Sequence, residues 1–400
     1  MLRMQYLRVM HKLFVLISGL LIGVSASAQI EVVKQLSSQV NEDSLITYVK
    51  QLTGLLPADL PDGPQVITSR FTGDLGNTQT SEFIKHKLNQ WGVPFEEIKF
   101  SATGNNIIAK IEGRRKDKVL MIGAHFDAVR FSPGADDNAS GTAAVLEMAR
   151  LCAGKQFPVT LHLAFWDEEE QFLTGSRATA PAYGSELIAY LNHDMIAYDS
   201  NNDSSFDIHT RPIANSIALA NIVYSCIDLY DVPLKPRIIN PGETATDHGS
   251  FWELNRTAVA INEEYAFQDD FNPHWHQRTD SLTYFNTSYF VRLSRFGFTA
   301  FLHLAHDTSP ILSVYEKKYH EPAMQVYPNP FHQSLQLQLT HLPKGIFEIT
   351  LFDVHGNKVL FEETTDTYHA IETAHLPAGL YYLQVANKSE VLLKQKLIKQ

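Results

Sequence analysis

Short, strongly apolar runs alternate with amphipathic stretches over most of the chain. Val119-Leu-Met-Ile-Gly-Ala, Val159-Thr-Leu-His-Leu-Ala-Phe-Trp and Leu187-Ile-Ala-Tyr-Leu-Asn-His predict buried strands. A further strand at Asn106 to Glu112 is read as the neighbour of the Val119 strand, joined to it by the basic turn Gly113-Arg-Arg-Lys-Asp-Lys. Thr80 to Trp91 places Phe83, Ile84, Leu88 and Trp91 on one helical face, and Gly92 suits its C-terminal cap. A polar helix is read around Asp43 to Leu56, before Pro57, Pro61 and Pro64 break the pattern. Gly141 to Cys152 and Ser288 to His306 predict two more helices. Strand, helix and strand in alternation predict an α/β domain with a largely parallel sheet covered by helices.

The texture changes after about residue 320. Alternating strands are predicted at Leu335 to Leu339, Phe347 to Phe352, Lys358 to Phe361, Gly379 to Val385 and Val391 to Ile398. Turn signals such as Asp353-Val-His-Gly-Asn and Leu376-Pro-Ala-Gly separate them, as in a small C-terminal antiparallel β-sandwich. The N-terminus reads as a secretory signal: Arg3, Arg8 and Lys12, an apolar stretch from Leu13 to Val24, then Ala26-Ser27-Ala28 before a cut ahead of Gln29. That stretch is short for a membrane span. The expected organisation is a signal peptide at 1–28, a catalytic domain at 29–320 and a β-sandwich at 321–400.

Composition narrows the function. The chain has 400 residues, 44% of them hydrophobic, enough for packed cores in two domains. A formal charge of -11 argues against nucleic acid as a partner. Cys152 and Cys226 are too few for a disulfide framework, and one bridge or two buried thiols both fit the sequence.

The chemistry concentrates just past the predicted strands, where an α/β sheet gathers its reactive groups. His125 ends the first apolar run, Glu169 and Glu170 follow the second, and Asp194 follows the third. Asp136 lies in Gly134-Ala-Asp-Asp-Asn-Ala-Ser-Gly141, whose glycines permit a tight backbone, and its short side chain suits it to bridging two cations. His276 comes from a distant loop, Asn272-Pro-His-Trp-His. Two imidazoles and three carboxylates form a ligand set for zinc, or for two zinc ions sharing one carboxylate. Of Glu169 and Glu170, one can bind metal while the other faces a water and moves its proton. Asp127 can accept the other imidazole N–H of His125. Glu168 reads as a solvated or supporting carboxylate, and His162 and His193 as buried, hydrogen-bonded strand residues. Thr246-Asp-His248 fits a supporting, substrate-contacting or purely structural role.

These blocks resemble the di-zinc aminopeptidases of metallopeptidase family 28, the bacterial leucyl aminopeptidase type. The resemblance covers about residues 65 to 305 and rests on ordered motifs: Gly123-Ala-His-Phe-Asp127, Pro133 to Gly141, Glu169-Glu-Gln-Phe-Leu-Thr-Gly-Ser176, Leu191-Asn-His-Asp-Met-Ile196, Thr246-Asp-His248 and Asn272 to His276. It implies a mixed, twisted, mostly parallel sheet flanked by helices. It implies one zinc on His125 and Asp194, a second on Glu170 and His276, and Asp136 bridging them. Glu169 would be the general base and acid, and Asp127 would orient His125. Motif position favours His276 over its neighbour His274. The implied reaction hydrolyses the N-terminal bond of peptides with a free N-terminus, the zinc pair supplying the attacking hydroxide. Two departures stand out: Gln171-Phe172 follows the paired glutamates where the family has smaller residues, and Glu243 stands where some members place an oxyanion-stabilising tyrosine.

The tail, about 323 to 400, resembles the C-terminal sorting domain of the type IX secretion system. Its carriers are Tyr327-Pro-Asn-Pro330, Leu351 to Gly356, Leu376 to Tyr382 and the basic ending Lys396-Leu-Ile-Lys399. It implies that machinery as a partner, and export through the periplasm to the medium or cell surface. Two rivals to the peptidase reading are a glutaminyl cyclase of the same fold using one zinc and an inactive binding protein. The Asp-Asp-Asn-Ala-Ser-Gly block and the complete ligand set speak against them.

Overall fold

A computed structural model of the chain describes residues 29–264, 270–308, 311, 323–340, 346–366, 368–387 and 390–400. The expected signal peptide lies outside the described residues. The chain divides into two compact units, Met1–Leu312 and Ser313–Gln400.

In the first unit the helices are α1 (29–37), α2 (Glu42–Leu52), α3 (Leu75–Gln90), α4 (Gly141–Cys152), α5 (Thr174–Thr179), α6 (Ser216–Tyr230), α7 (His248–Glu253) and α8 (Thr287–His306). The strands are β1 (Phe95–Lys99), β2 (Asn105–Ile111), β3 (Arg115–His125), β4 (Val159–Trp166), β5 (Leu187–His193), β6 (Ser205–His209), β7 (Lys235–Ile239) and β8 (Ala258–Asn262). They form one mixed sheet in the order β1-β2-β4-β3-β5-β8-β6-β7. The central strands β4, β3, β5 and β8 run parallel to their neighbours, while β2 and β6 pair antiparallel with β4 and β8.

Strands β4, β5 and β8 are buried at every position, as is β3 from Val119 on, because both faces are covered. Side chains alternate across a strand. Leu120, Ile122 and Ala124 of β3 therefore join a large core with residues of α4 and α8, while Val119 and Met121 face a second core around Trp166, Tyr190 and Phe251. Truncating Leu120 or Ile122 to alanine in this dense packing costs roughly 2–5 kcal/mol. Helix α8 starts where the Asn286 side chain accepts the Tyr289 N–H at 3.1 Å, and it crosses close to the sheet at Gly297. A Cβ there would sit 1.8 Å from His193 Nε2, so only glycine allows the approach.

The sequence pattern found α4, β4 and β5 with their ends and misread some surroundings. Residues 106–112 and the Val119 strand are not neighbours: β4 lies between β2 and β3, antiparallel to one and parallel to the other. The basic stretch from Arg115 to Lys118 belongs to β3 and is no turn. Helix α3 starts at Leu75, earlier than periodicity indicates, because its first turn is polar. Cys152 and Cys226 are buried free thiols. His162 is buried and bonded to the Tyr183 hydroxyl at 2.9 Å, whereas His193 is buried with neither ring nitrogen bonded among the described residues. Among the described residues, no helix is long and apolar enough to cross a membrane.

The second unit holds two antiparallel sheets, β13-β10-β9 and β12-β11-β14-β15. Their strands are β9 (Ala323–Tyr327), β10 (Ser334–Thr340), β11 (Phe347–Phe352), β12 (Lys358–Thr364), β13 (Tyr368–Glu372), β14 (Gly379–Asn387) and β15 (Glu390–Lys399). Alternate residues of both sheets, among them Leu335, Leu337, Leu339, Ile349, Leu351, Leu383 and Val385, share one core.

Candidate metal centre

The register of the central strands brings their carboxyl ends together. His125 pairs with Trp166 across β3 and β4, and Gly123 pairs with Asn192 across β3 and β5. The residues that follow these ends, Asp167 to Glu170 and Asp194, therefore emerge beside His125.

The fourth wall of the site is the turn from Gly134 to Ser140. Gly134 has φ 61°, and a Cβ there would lie 2.3 Å from the Asp137 carbonyl oxygen. The turn is held from both sides. Arg70, only 2% exposed, donates to the carbonyls of Phe126, Leu52, Pro133 and Gly134 at 2.7, 3.0, 2.7 and 2.7 Å. Asp280 accepts the N–H of Asp136 at 2.9 Å and of Asp137 at 3.1 Å, one on each carboxylate oxygen.

This turn decides which carboxylate is shared. Asp137 Oδ1 lies 3.2 Å from His125 Nε2, and Asp137 Oδ2 lies 3.2 Å from His276 Nε2. Asp136 points the other way: its oxygens accept from the Ala197 N–H at 3.0 Å and the Asn272 side chain at 2.7 Å. Asp137, not the expected Asp136, is thereby the carboxylate that faces both histidines. The two are adjacent acids, and the backbone torsions of the turn, which no spacing rule reports, choose between them.

Two groups result. His125 Nε2 is 3.2 Å from Asp194 Oδ1, and with Asp137 these form one candidate triad. His276 Nε2 is 3.0 Å from Glu170 Oε2, and with Asp137 these form the second. His274 is turned away, stacked on Tyr284 and bonded to the Thr279 hydroxyl. His125 Nε2 faces two carboxylates at equal distance, more than a single N–H can serve. Ligand atoms about 2.0–2.2 Å from a tetrahedral zinc would stand roughly 3.3–3.6 Å apart, a little wider than these separations.

The supporting groups are equally fixed. Asp127 Oδ1 is 3.3 Å from His125 Nδ1. Its two oxygens also accept the N–H of Glu169 at 3.1 Å and of Glu170 at 3.2 Å, so one carboxylate ties β3 to the acidic turn. Glu168 is buried, its Oε1 accepting from the hydroxyls of Thr72, Ser101 and Thr103, which turns it from the ligands. Asp167 is buried as well and bound by Asn77 and the Asn105 N–H. The run 167–170 is therefore not a solvated turn.

Charge in this space shifts its groups strongly. Burial would lower the pKa of His276, but the Asp137 and Glu170 carboxylates outweigh it and raise it to about 10. Asp137 is pushed up by burial and, more strongly, down by the two imidazoles, ending well below the usual carboxylate range. Burial, aided by Asp137, raises Glu170 to about 7. Burial also holds Glu169 well above the ordinary range; His125 opposes this, and Asp194, Asp247 and Glu170 reinforce it. Glu169 Oε2 stands 3.9 Å from His125 Nε2. A buried carboxyl of raised proton affinity beside a candidate metal site is equipped to take and return a proton. A cleft of about 90 Å³ opens over these groups, walled by Met195, His209, Glu243, Thr246, His248 and Trp275.

Sequence reasoning missed Asp137, Asp280 and Arg70. Asp280 and Arg70 act on backbone groups, and no motif records that.

Known proteins resemble this chain in both sequence and fold. Residues 106–298 match the family model described as Peptidase family M28, and residues 325–400 match the Secretion system C-terminal sorting domain. An aminopeptidase of Pseudomonas aeruginosa is 40% identical over 139 residues, covering 34% of this chain and 25% of that protein. The chain thus spans about a quarter of that relative's length. Among solved structures, the Legionella pneumophila LapA aminopeptidase is similar with a TM-score of 0.61 at 21% identity, over 69% of this chain and 74% of that one. The glutaminyl cyclase of Porphyromonas gingivalis is similar with a TM-score of 0.54 at 17% identity, over 65% and 97%. At those identities the likeness speaks for the fold.

Proposed function

We propose that this chain, a peptidase family M28 domain followed by a secretion-sorting domain, is an exported di-zinc aminopeptidase. The observation that carries the reading is Asp137, whose two oxygens each face a different histidine–carboxylate pair, with Glu169 beside them. His125 and Asp194 would hold one zinc, Glu170 and His276 the other, and Asp137 both. When bound, the zinc pair would polarise the scissile carbonyl and lower the proton affinity of a water beside it.

The chain's own groups do the rest. Asp127 faces His125 Nδ1 and so keeps that nitrogen protonated and Nε2 free to ligate. Glu169 accepts a proton from the attacking water and delivers it to the amine nitrogen of the departing peptide. The bond cleaved is the first peptide bond, and the products are a free amino acid and the shortened peptide. The segments follow the same reading: a signal at 1–28, a catalytic domain at 29–320, and a tail at 321–400 addressed to the type IX machinery.

Incubating the purified protein with a panel of short peptides, and separating the products by mass, tests the reaction. Release of free N-terminal residues supports it. Conversion of N-terminal glutamine to pyroglutamate without hydrolysis would transfer the chain to the cyclase reading.

A further inference from the structure

One charged wall of the cleft takes no part in the reaction described above. Glu243 is exposed, lines the cleft together with the candidate ligands, and forms no ion pair among the described residues. Its backbone is pinned on both sides. The Glu243 N–H donates to His209 Nδ1 at 3.1 Å, and its carbonyl accepts from His248 Nε2 at 2.9 Å. Both imidazoles are buried, and burial lowers their pKa values to about 4 for His209 and about 3 for His248. Neither is a cation at neutral pH. Arg211, a nearby cation, spends its Nε on the Gly242 carbonyl at 2.7 Å and does not come within ion-pair distance of Glu243. The cleft therefore presents a carboxylate on an anchored backbone, with no ion-pair partner among the described residues.

We infer that Glu243 selects peptides whose first residue carries a cationic side chain, lysine or arginine. This rests on the aminopeptidase reading and gives it a substrate class. The first residue's α-amino group must lie next to the scissile carbonyl, and so beside the ligand carboxylates. Glu243 belongs to a different segment, the loop before α7, and serves the part of the substrate that extends away from them. Met195 and Trp275 line the same cleft and offer apolar surface. A lysine or arginine side chain has the matching form, an apolar stem with a charge at its end. A neutral, isosteric first residue would leave the carboxylate facing water or an unpaired apolar chain.

The test compares 4-nitroanilides of lysine, arginine, norleucine, leucine and glutamate on the zinc-loaded full-length protein, with Glu243→Gln and Glu243→Lys beside the wild type. Norleucine is lysine without its ammonium group and isolates the charge. A charge-assisted contact predicts kcat/KM for lysine over norleucine by roughly 10- to 100-fold. Glu243→Gln should remove that preference while leaving norleucine within about threefold of wild type. Glu243→Lys should favour glutamate over lysine. Wild-type protein that hydrolyses norleucine as well as lysine, or a Glu243→Gln variant that loses all substrates equally, overturns the inference. If no anilide is hydrolysed, the aminopeptidase reading fails by itself. Calorimetric binding of free lysine against norleucine to wild type and Glu243→Gln then still decides whether Glu243 receives the cation.

Discussion

Replacing Arg70 is the sharpest probe of how the centre is held. The guanidinium is buried and makes four hydrogen bonds of 2.7–3.0 Å, all to backbone carbonyls. Burial lowers its pKa only to about 10, with Asp280, Asp127, Asp137 and Glu170 opposing the shift, so it stays charged at neutral pH. Of the four carbonyls, Gly134 also accepts the Ala139 N–H; those of Phe126, Leu52 and Pro133 accept no other backbone donor among the described residues. Arg70→Met removes the charge and leaves these three acceptors, two buried and one partly buried, bare. At roughly 1–3 kcal/mol for each unsatisfied group, part of it relieved by relaxation, the loss is about 3–6 kcal/mol. That is a large share of the roughly 5–15 kcal/mol that stabilises a domain. Because Phe126 follows His125, and Pro133 and Gly134 lead into Asp137, the same change should loosen the ligands. A loss of roughly 10- to 100-fold in zinc affinity follows by analogy with other supporting shells. Urea unfolding with and without zinc, together with a zinc titration against a chelating indicator, measures both quantities. Arg70→Lys keeps the charge but not the fork, and should fall between wild type and Arg70→Met in both. An Arg70→Met protein with wild-type stability and wild-type zinc affinity would refute this reasoning.

Two further predictions separate roles at the centre. Asp137→Asn should reduce bound zinc to below one ion per chain, whereas Asp136→Asn should keep its zinc and lose only stability, because Asp136 serves the Ala197 N–H and Asn272; elemental analysis of the two purified variants decides, and the opposite result would restore the bridging role to Asp136. Glu169→Gln should retain zinc and substrate binding and lose roughly 100- to 10,000-fold in kcat, read from steady-state kinetics, and unchanged turnover would remove Glu169 from the proton transfer.

The fold and most of the site were legible for a physical reason. The strands that carry the ligands are the central, doubly buried ones, whose apolar runs are unmistakable, and their ends mark where His125, Glu169, Glu170 and Asp194 emerge. What the sequence concealed lies at the margins of the sheet or in backbone geometry. Strand β1 is mostly exposed and reads as polar, and β7 carries Lys235, Pro236 and Arg237 among few apolar residues. The order of β2, β4 and β3 depends on pairing that no single segment encodes. The choice between Asp136 and Asp137 depends on one left-handed glycine and on the two N–H groups that Asp280 receives. Glu243 was visible as a departure from a family pattern, yet its lack of an ion-pair partner among the described residues emerged only once His209, His248 and Arg211 were placed around it.

The central claim is that one carboxylate, Asp137, joins two metal positions that act together. Titrating metal-free protein with zinc while following hydrolysis of an aminoacyl substrate tests it most directly. Activity that rises until two zinc ions are bound per chain, and that Asp137→Asn cannot reach at any zinc concentration, is the predicted result. Full activity at one zinc per chain, or an Asp137→Asn variant that matches wild type, would contradict it.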